Sequence, residues 1–201
     1  LAAQVFKWTS SSWCEDQDFF RFSGIYRDVY LYAIPEVHVS DVKIQTLLDD
    51  TFTKADLVID TKATKAGKVK ITLSKDGKEL QSVEETLAEE SQYVMKVEKP
   101  ELWSAESPVL YDLLLEVMDE NGQVTEVIPQ RVGFRRFEMK DSIMMLNGKR
   151  IVFKGVNRHE FSSVSGRVVS REELIKDLVT MKQNNINAIR TCHYPDAVGI
   201  Y

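Results

Sequence analysis

The sequence predicts a mainly β chain. An immunoglobulin-like β-sandwich fills its middle, the end of a larger β-domain precedes it, and the opening of a parallel α/β sheet follows. Three observations carry this reading. Short runs of alternating apolar and polar residues recur through residues 36–138. Asp76-Gly77 and Asn121-Gly122 fall between paired runs, and such dipeptides supply the positive φ of tight hairpin turns. After residue 139 strands alternate with a run of helical period, the pattern of a βαβ unit.

Taken in order, residues 1–34 hold nine aromatic rings, among them Phe6, Trp8, Trp13, Phe19 and Tyr26. A segment this short cannot bury so many rings alone. It therefore belongs to a larger β-domain, and Arg27-Asp-Val-Tyr-Leu-Tyr is expected to form one of its half-buried strands. Residues 39–46, 57–61, 68–74, 92–97, 111–118 and 124–132 read as strands of the sandwich, about seven short strands being the immunoglobulin pattern. Their inward candidates are Val42/Ile44, Leu57/Ile59, Val69/Ile71/Leu73, Tyr93/Met95/Val97 and Leu113/Leu115/Val117. Trp103 is expected to plug this core. The Cys…Trp…Cys spacing of antibody domains is absent, so the likeness is one of architecture.

Beyond residue 139, Ile143-Met-Met-Leu, Asn147-Gly148 and Arg150-Ile-Val-Phe form a hairpin signal. Residues 153–156 continue as a strand ending at Asn157. Ser170-Arg-Glu-Glu173 is a capping box, in which hydroxyl and carboxylate satisfy the orphan backbone donors of a helix start. Leu174, Leu178 and Met181 follow at helical spacing, Gln183-Asn-Asn ends the helix, and residues 186–191 form a second strand. Strand, helix and strand within about 40 residues imply a parallel pair. A second helix is expected towards Tyr201. With no initiator methionine, this 201-residue chain is expected to be a piece of a longer one.

Composition narrows the function classes. Twenty-six basic and 31 acidic side chains give a net charge of -5, which argues against a nucleic-acid partner. No apolar run approaches the roughly 20 residues of a membrane helix. Cys14 and Cys192 form no metal or redox spacing and read as inert buried thiols in a reducing, cytoplasmic protein.

In a βαβ unit, function gathers at the carboxyl ends of the strands. Asn157-Arg158-His159-Glu160 follows the first strand, and Arg190-Thr191-Cys192-His193-Tyr194 ends the second. Adjacent parallel strands bring His159 and His193 to one rim, where imidazoles either pack quietly or donate to a hydroxyl-rich ligand. A zinc site is not expected: no second histidine follows His159-Glu160 at helical spacing, and no third ligand is evident. Glu15-Asp16-Gln17-Asp18 is either a solvated acidic turn or an oxygen site for a hard cation.

The segments WCEDQDFFRFSGIYRDVYLY, KPELWSAESPVLYDL, RVGFRRFEMKDSIMMLNGKRIVFKGVNRHE and MKQNNINAIRTCHYP closely resemble the β-galactosidases of glycoside hydrolase family 2. The resemblance runs in unbroken order over nearly the whole chain. It implies the end of a jelly-roll sugar-binding domain over residues 1–35, an immunoglobulin-like sandwich over 36–138 and the start of an (α/β)8 TIM barrel over 139–201. It implies that Asp18 binds a sodium ion and the galactose 6-hydroxyl, and that His159 and His193 bind galactosyl hydroxyls. Asn157 and Arg190 take positioning roles beside them. The two catalytic glutamates, nucleophile and acid/base, are implied to lie beyond Tyr201, as are the ligands of a magnesium ion, so the chain alone is expected to be inactive. The protein would hydrolyse terminal β-galactosides such as lactose with retention, as a homo-oligomer. A non-catalytic carbohydrate- or protein-binding sandwich, and a β-glucuronidase or β-mannosidase, stay open as alternatives. After His193-Tyr194-Pro195 the chain departs from the family's usual proline and bulky aromatics, continuing with Asp196-Ala-Val-Gly-Ile.

Overall fold

The computed structural model describes residues 25–201, which divide into two compact units, one built on Tyr32–Val152 and the other on Phe153–Tyr201 with the segment ending at Leu31. In the first unit, β1 (Val39–Leu48), β2 (Lys54–Ala63) and β5 (Glu90–Glu98) form a three-stranded antiparallel sheet. β3 (Gly67–Lys75), β4 (Lys78–Leu87), β6 (Tyr111–Met118) and β7 (Val124–Val132) form a four-stranded one in the order β4-β3-β6-β7. Strict alternation makes this a sandwich. In β6 every second residue, Tyr111, Leu113, Leu115 and Val117, is buried, and β3 answers with Val69, Ile71 and Leu73. Leu57, Ile59 and Met95 complete the core from the other sheet. Pro129 lies in β7, an edge strand of its sheet, where a missing N–H breaks no ladder bond.

The turns obey their dipeptides with one variation. Asp76 and Gly77 both take positive φ (51° and 76°), closing β3 onto β4. At Asn121-Gly122 only the glycine does (77°). There the Asp119 carboxylate accepts from the amides of Asn121 and Gln123, and the pairing of β6 with β7 slips at Val117/Met118.

β4 is a strand that the apolar pattern does not announce: of its ten residues only Leu87 is buried. Trp103 does not plug the core. It is half-buried, lies across Gly133, where a Cβ would come within 3.0 Å of the ring, and stacks under Arg135 at 4.5 Å. The neighbouring Phe134 is the fully buried ring, edge-on to Tyr111 at 4.9 Å. A bulky indole is better accommodated at the rim, where its polar edge stays near solvent.

Three short antiparallel strands follow in the same unit: β8 (Phe137–Lys140), β9 (Ile143–Leu146) and β10 (Lys149–Arg150). Asn147 and Gly148 turn β9 onto β10, both with positive φ (52° and 75°). The Asn147 side chain ties this hairpin to the sandwich, accepting from the Arg136 amide and donating to the Trp103 carbonyl, each at 2.9 Å. Gly148 has a second reason to be glycine, since a Cβ would meet the Phe52 ring at 2.8 Å.

In the second unit, β11 (Gly155–Arg158) and β12 (Ala188–Thr191) pair in parallel, joined through α1 (Arg171–Gln183). The capping box forms as the sequence requires. Ser170 Oγ accepts from the Glu173 amide at 3.2 Å, and the Glu173 carboxylate accepts from the Ser170 amide at 2.9 Å. Two expectations fail here. Residues 27–32 lie outside any strand and are exposed apart from Arg27: alternation alone does not make a strand. Towards Tyr201 there is a single 3-10 turn, Val198–Ile200, in place of a helix, consistent with a tail that lacks an apolar helical stripe.

Candidate functional site

The register of the parallel pair builds the site. Gly155 stands beside Ala188 and Arg158 beside Thr191, and the ladder runs one step further through the Cys192 amide, which donates to the Arg158 carbonyl at 2.9 Å. The next residues on the two strands are therefore His159 and His193, emerging together at the carboxyl ends. Their ring centroids are 5.7 Å apart and their planes meet at 89°, edge to face. His159 is half-buried and His193 exposed. The Tyr194 ring lies 6.5 Å from that of His159.

Pleating sorts the polar residues between two faces. Asn157 and Arg190 sit on one, where the Arg190 guanidinium donates to Asn157 Oδ1 at 3.4 Å, and both line a shallow hollow with Phe153, Gly155 and Ala188. Arg158 turns to the other face. It donates twice to Asp177 of α1, at 2.8 and 3.0 Å, and once to Asp196 at 2.8 Å.

Behind the rim lies a second layer of charge that the sequence reading did not find. Glu160, fully buried, is ion-paired with Arg27, and its other oxygen accepts from the Ala197 amide at 2.9 Å. Asp196 is fully buried against Arg158. Burial pushes the Asp196 carboxyl above the usual carboxylate range and the Glu160 charge pushes the same way, while Arg158 pulls it down. The Tyr194 phenol is likewise raised, mainly by burial. Arg167 lies between two rings, 4.4 Å from Tyr26 and 4.2 Å from Tyr194. Glu160 and Asp196 are thus structural anions that lock the rim from behind.

A third donor does accompany the two histidines: Cys192 Sγ and one nitrogen from each imidazole all lie within 4.8 Å of one another. The reading of Cys192 as buried holds, since the residue is inaccessible. Its sulfur touches Arg190, accepting from the guanidinium at 3.5 Å and donating to the carbonyl at 3.4 Å. Asp18, with the sodium ion implied for it, lies outside the described residues, as does Cys14. Among the described residues no helix is long and apolar enough to cross a membrane.

A parallel strand pair that presents convergent polar side chains at its carboxyl ends has the layout of a barrel-type enzyme. The chain matches three family profiles that together run through almost all of it. They are described as the sugar binding domain of glycosyl hydrolases family 2 over residues 1–35, glycosyl hydrolases family 2 over 37–135, and the TIM barrel domain of that family over 137–201. The chain belongs to glycosyl hydrolase family 2.

Among curated relatives, the β-galactosidase of Halalkalibacterium halodurans is 48% identical over 98% of this chain, and that of Streptococcus thermophilus 47% over all of it. The chain spans 20% of the length of each. Among solved structures, apo β-glucuronidase 3 of Bacteroides uniformis superposes with a TM-score of 0.82 at 30% identity, over 92% of this chain and 24% of that one. The β-glucuronidase of Ruminococcus gnavus in complex with D-glucuronic acid gives 0.80 at 28%, over 92% and 31%.

Proposed function

We infer that the protein carrying this chain is a retaining β-galactosidase that hydrolyses terminal β-galactosides such as lactose. The observation that carries the reading is the pair of imidazoles, His159 and His193, held edge to face at the ends of adjacent parallel strands. Identities of 40–48% to proteins named β-galactosidase favour galactose over other sugars. Imidazole N–H groups suit a ligand whose polar surface is hydroxyl, because each donates one directed bond without adding a fixed charge. Asn157 and Arg190, bonded to each other on the face of the hollow, position the strand ends. Asp18 takes the sugar 6-hydroxyl and a sodium ion. The nucleophile, the acid/base glutamate and the magnesium ligands belong to segments beyond Tyr201. Retention requires two carboxyl groups about 5 Å apart. The whole protein acts as a homo-oligomer.

The test is an assay of the full gene product on nitrophenyl β-galactoside and nitrophenyl β-glucuronide. Hydrolysis of the galactoside is expected, and His159→Ala and His193→Ala are each expected to lower kcat/KM about tenfold or more, the loss of about one good hydrogen bond in the transition state. Preference for the glucuronide overturns the assignment of galactose. Full activity in both variants overturns the role given to the rim.

A further inference from the structure

We propose that His159, Cys192 and His193 form a zinc-binding site at the rim of the parallel strands. The argument starts from donor chemistry. Two imidazoles and one thiolate are the nitrogen and sulfur ligands that zinc prefers over the hard cations, which take oxygen. Three such donors are enough for a site that keeps its fourth position open to water. The strand register brings them together: Cys192 follows β12 opposite the position of His159 after β11, and His193 comes next. Their ligand atoms lie within 4.8 Å of one another. Donors around a tetrahedral zinc sit roughly 3.5 Å apart, so the trio must draw in by about an ångström. Movement of the exposed His193 ring is what the proposal requires to close that gap, and since the Cys192 sulfur is inaccessible as the chain stands, an ion reaches it only as that ring moves. Binding replaces the S–H proton of Cys192 with the metal and releases that proton to solvent. Because the ion uses both imidazoles, zinc and galactoside exclude each other. That consequence, unlike the site itself, rests on the function proposed above.

The experiment titrates the 201-residue chain with cobalt, a spectroscopic stand-in for zinc, and then displaces it with zinc. One equivalent of cobalt is expected to raise a thiolate-to-cobalt charge-transfer band in the near ultraviolet, and one equivalent of zinc to remove it. Cys14→Ser keeps the band. His193→Asn, a change at an exposed position, weakens zinc binding by about tenfold or more, since losing a ligand costs at least what losing its outer-shell partner costs. Absence of the band in the unaltered chain overturns the proposal, as does a band that survives Cys192→Ser or a zinc affinity unchanged in His193→Asn. Adding galactose separates the two readings. Competition with zinc supports both, whereas zinc binding indifferent to galactose leaves the metal site standing and removes the sugar from the imidazoles.

Discussion

Arg158 is the residue on which the second unit turns. It is 4% exposed and bonds two carboxylates, yet the two are unequal: Asp196 is fully buried and Asp177 is 45% exposed. Removing the cation strands a buried anion, so Arg158→Met is expected to cost about 3–5 kcal/mol. Asp177→Asn removes a partner that water can replace and should cost about 1 kcal/mol or less. The rate at which Cys192 becomes reactive to a thiol reagent in a Cys14→Ser background reports both, because that sulfur is inaccessible in the folded unit. Equal effects of the two changes contradict the argument. Asp196 adds a pH dependence. Its carboxyl is raised on folding, chiefly by burial, so the folded chain holds the proton more tightly than the unfolded one. The stability this gives is fully present below the ordinary carboxylate range and is lost as pH rises through the folded value. Stability relative to Asp196→Asn should therefore grow on acidification across that window, as read by denaturant midpoints. A difference independent of pH counts against it.

At the scale of elements, α1 shows the opposite sign. The Ser170 amide and the Ser162 hydroxyl, at 2.7 Å, hold the Glu173 carboxyl below the usual range. Its contribution is present above the unfolded value and is lost as pH falls through the folded one. Ser170→Ala should cost about 1 kcal/mol at neutral pH. The gap between Glu173→Gln and the unaltered chain should close in acid, a trend that circular dichroism of the helix can follow. The same cap was legible as four letters of sequence, because a capping box is local. So were β6 and β7, whose bounds match the alternating runs to the residue. β4 was not, since KELQSVEETL is charged on both faces at a sheet edge and only its pairing with β3 makes it a strand. Arg27-Asp-Val-Tyr-Leu-Tyr alternates as well as β6 does yet lies outside any strand of the described residues, so alternation alone does not decide a strand. The paired imidazoles could be read from strand ends. The ion pair of Arg27 with Glu160 joins residues 133 apart, and that of Arg158 with Asp196 residues 38 apart, distances at which no local pattern speaks.

Across the whole molecule the two units differ in kind. The sandwich has a continuous core of fully buried Leu57, Ile59, Val69, Ile71, Leu113 and Leu115. In the second unit Leu174 and Cys192 are the buried apolar residues among those described, and the buried polar ones described there are Arg158, Glu160, Ser162 and Asp196, three of the four charged. A carboxylate acts as nucleophile or acid/base only if it faces the sugar. Glu160 is closed off by Arg27 and the Ala197 amide, and Asp196 by Arg158, so neither anion of the rim is available for double displacement. Even a millionfold acceleration needs about 8 kcal/mol of transition-state stabilisation, more than two imidazole hydrogen bonds supply. The 201-residue chain by itself is therefore expected to give no turnover of a chromogenic β-galactoside, although galactose should shift the imidazole proton resonances of His159 and His193. Hydrolysis that persists through repurification, and that Glu160→Gln or Asp196→Asn abolishes, would make one of those buried anions a catalyst and reverse this assignment.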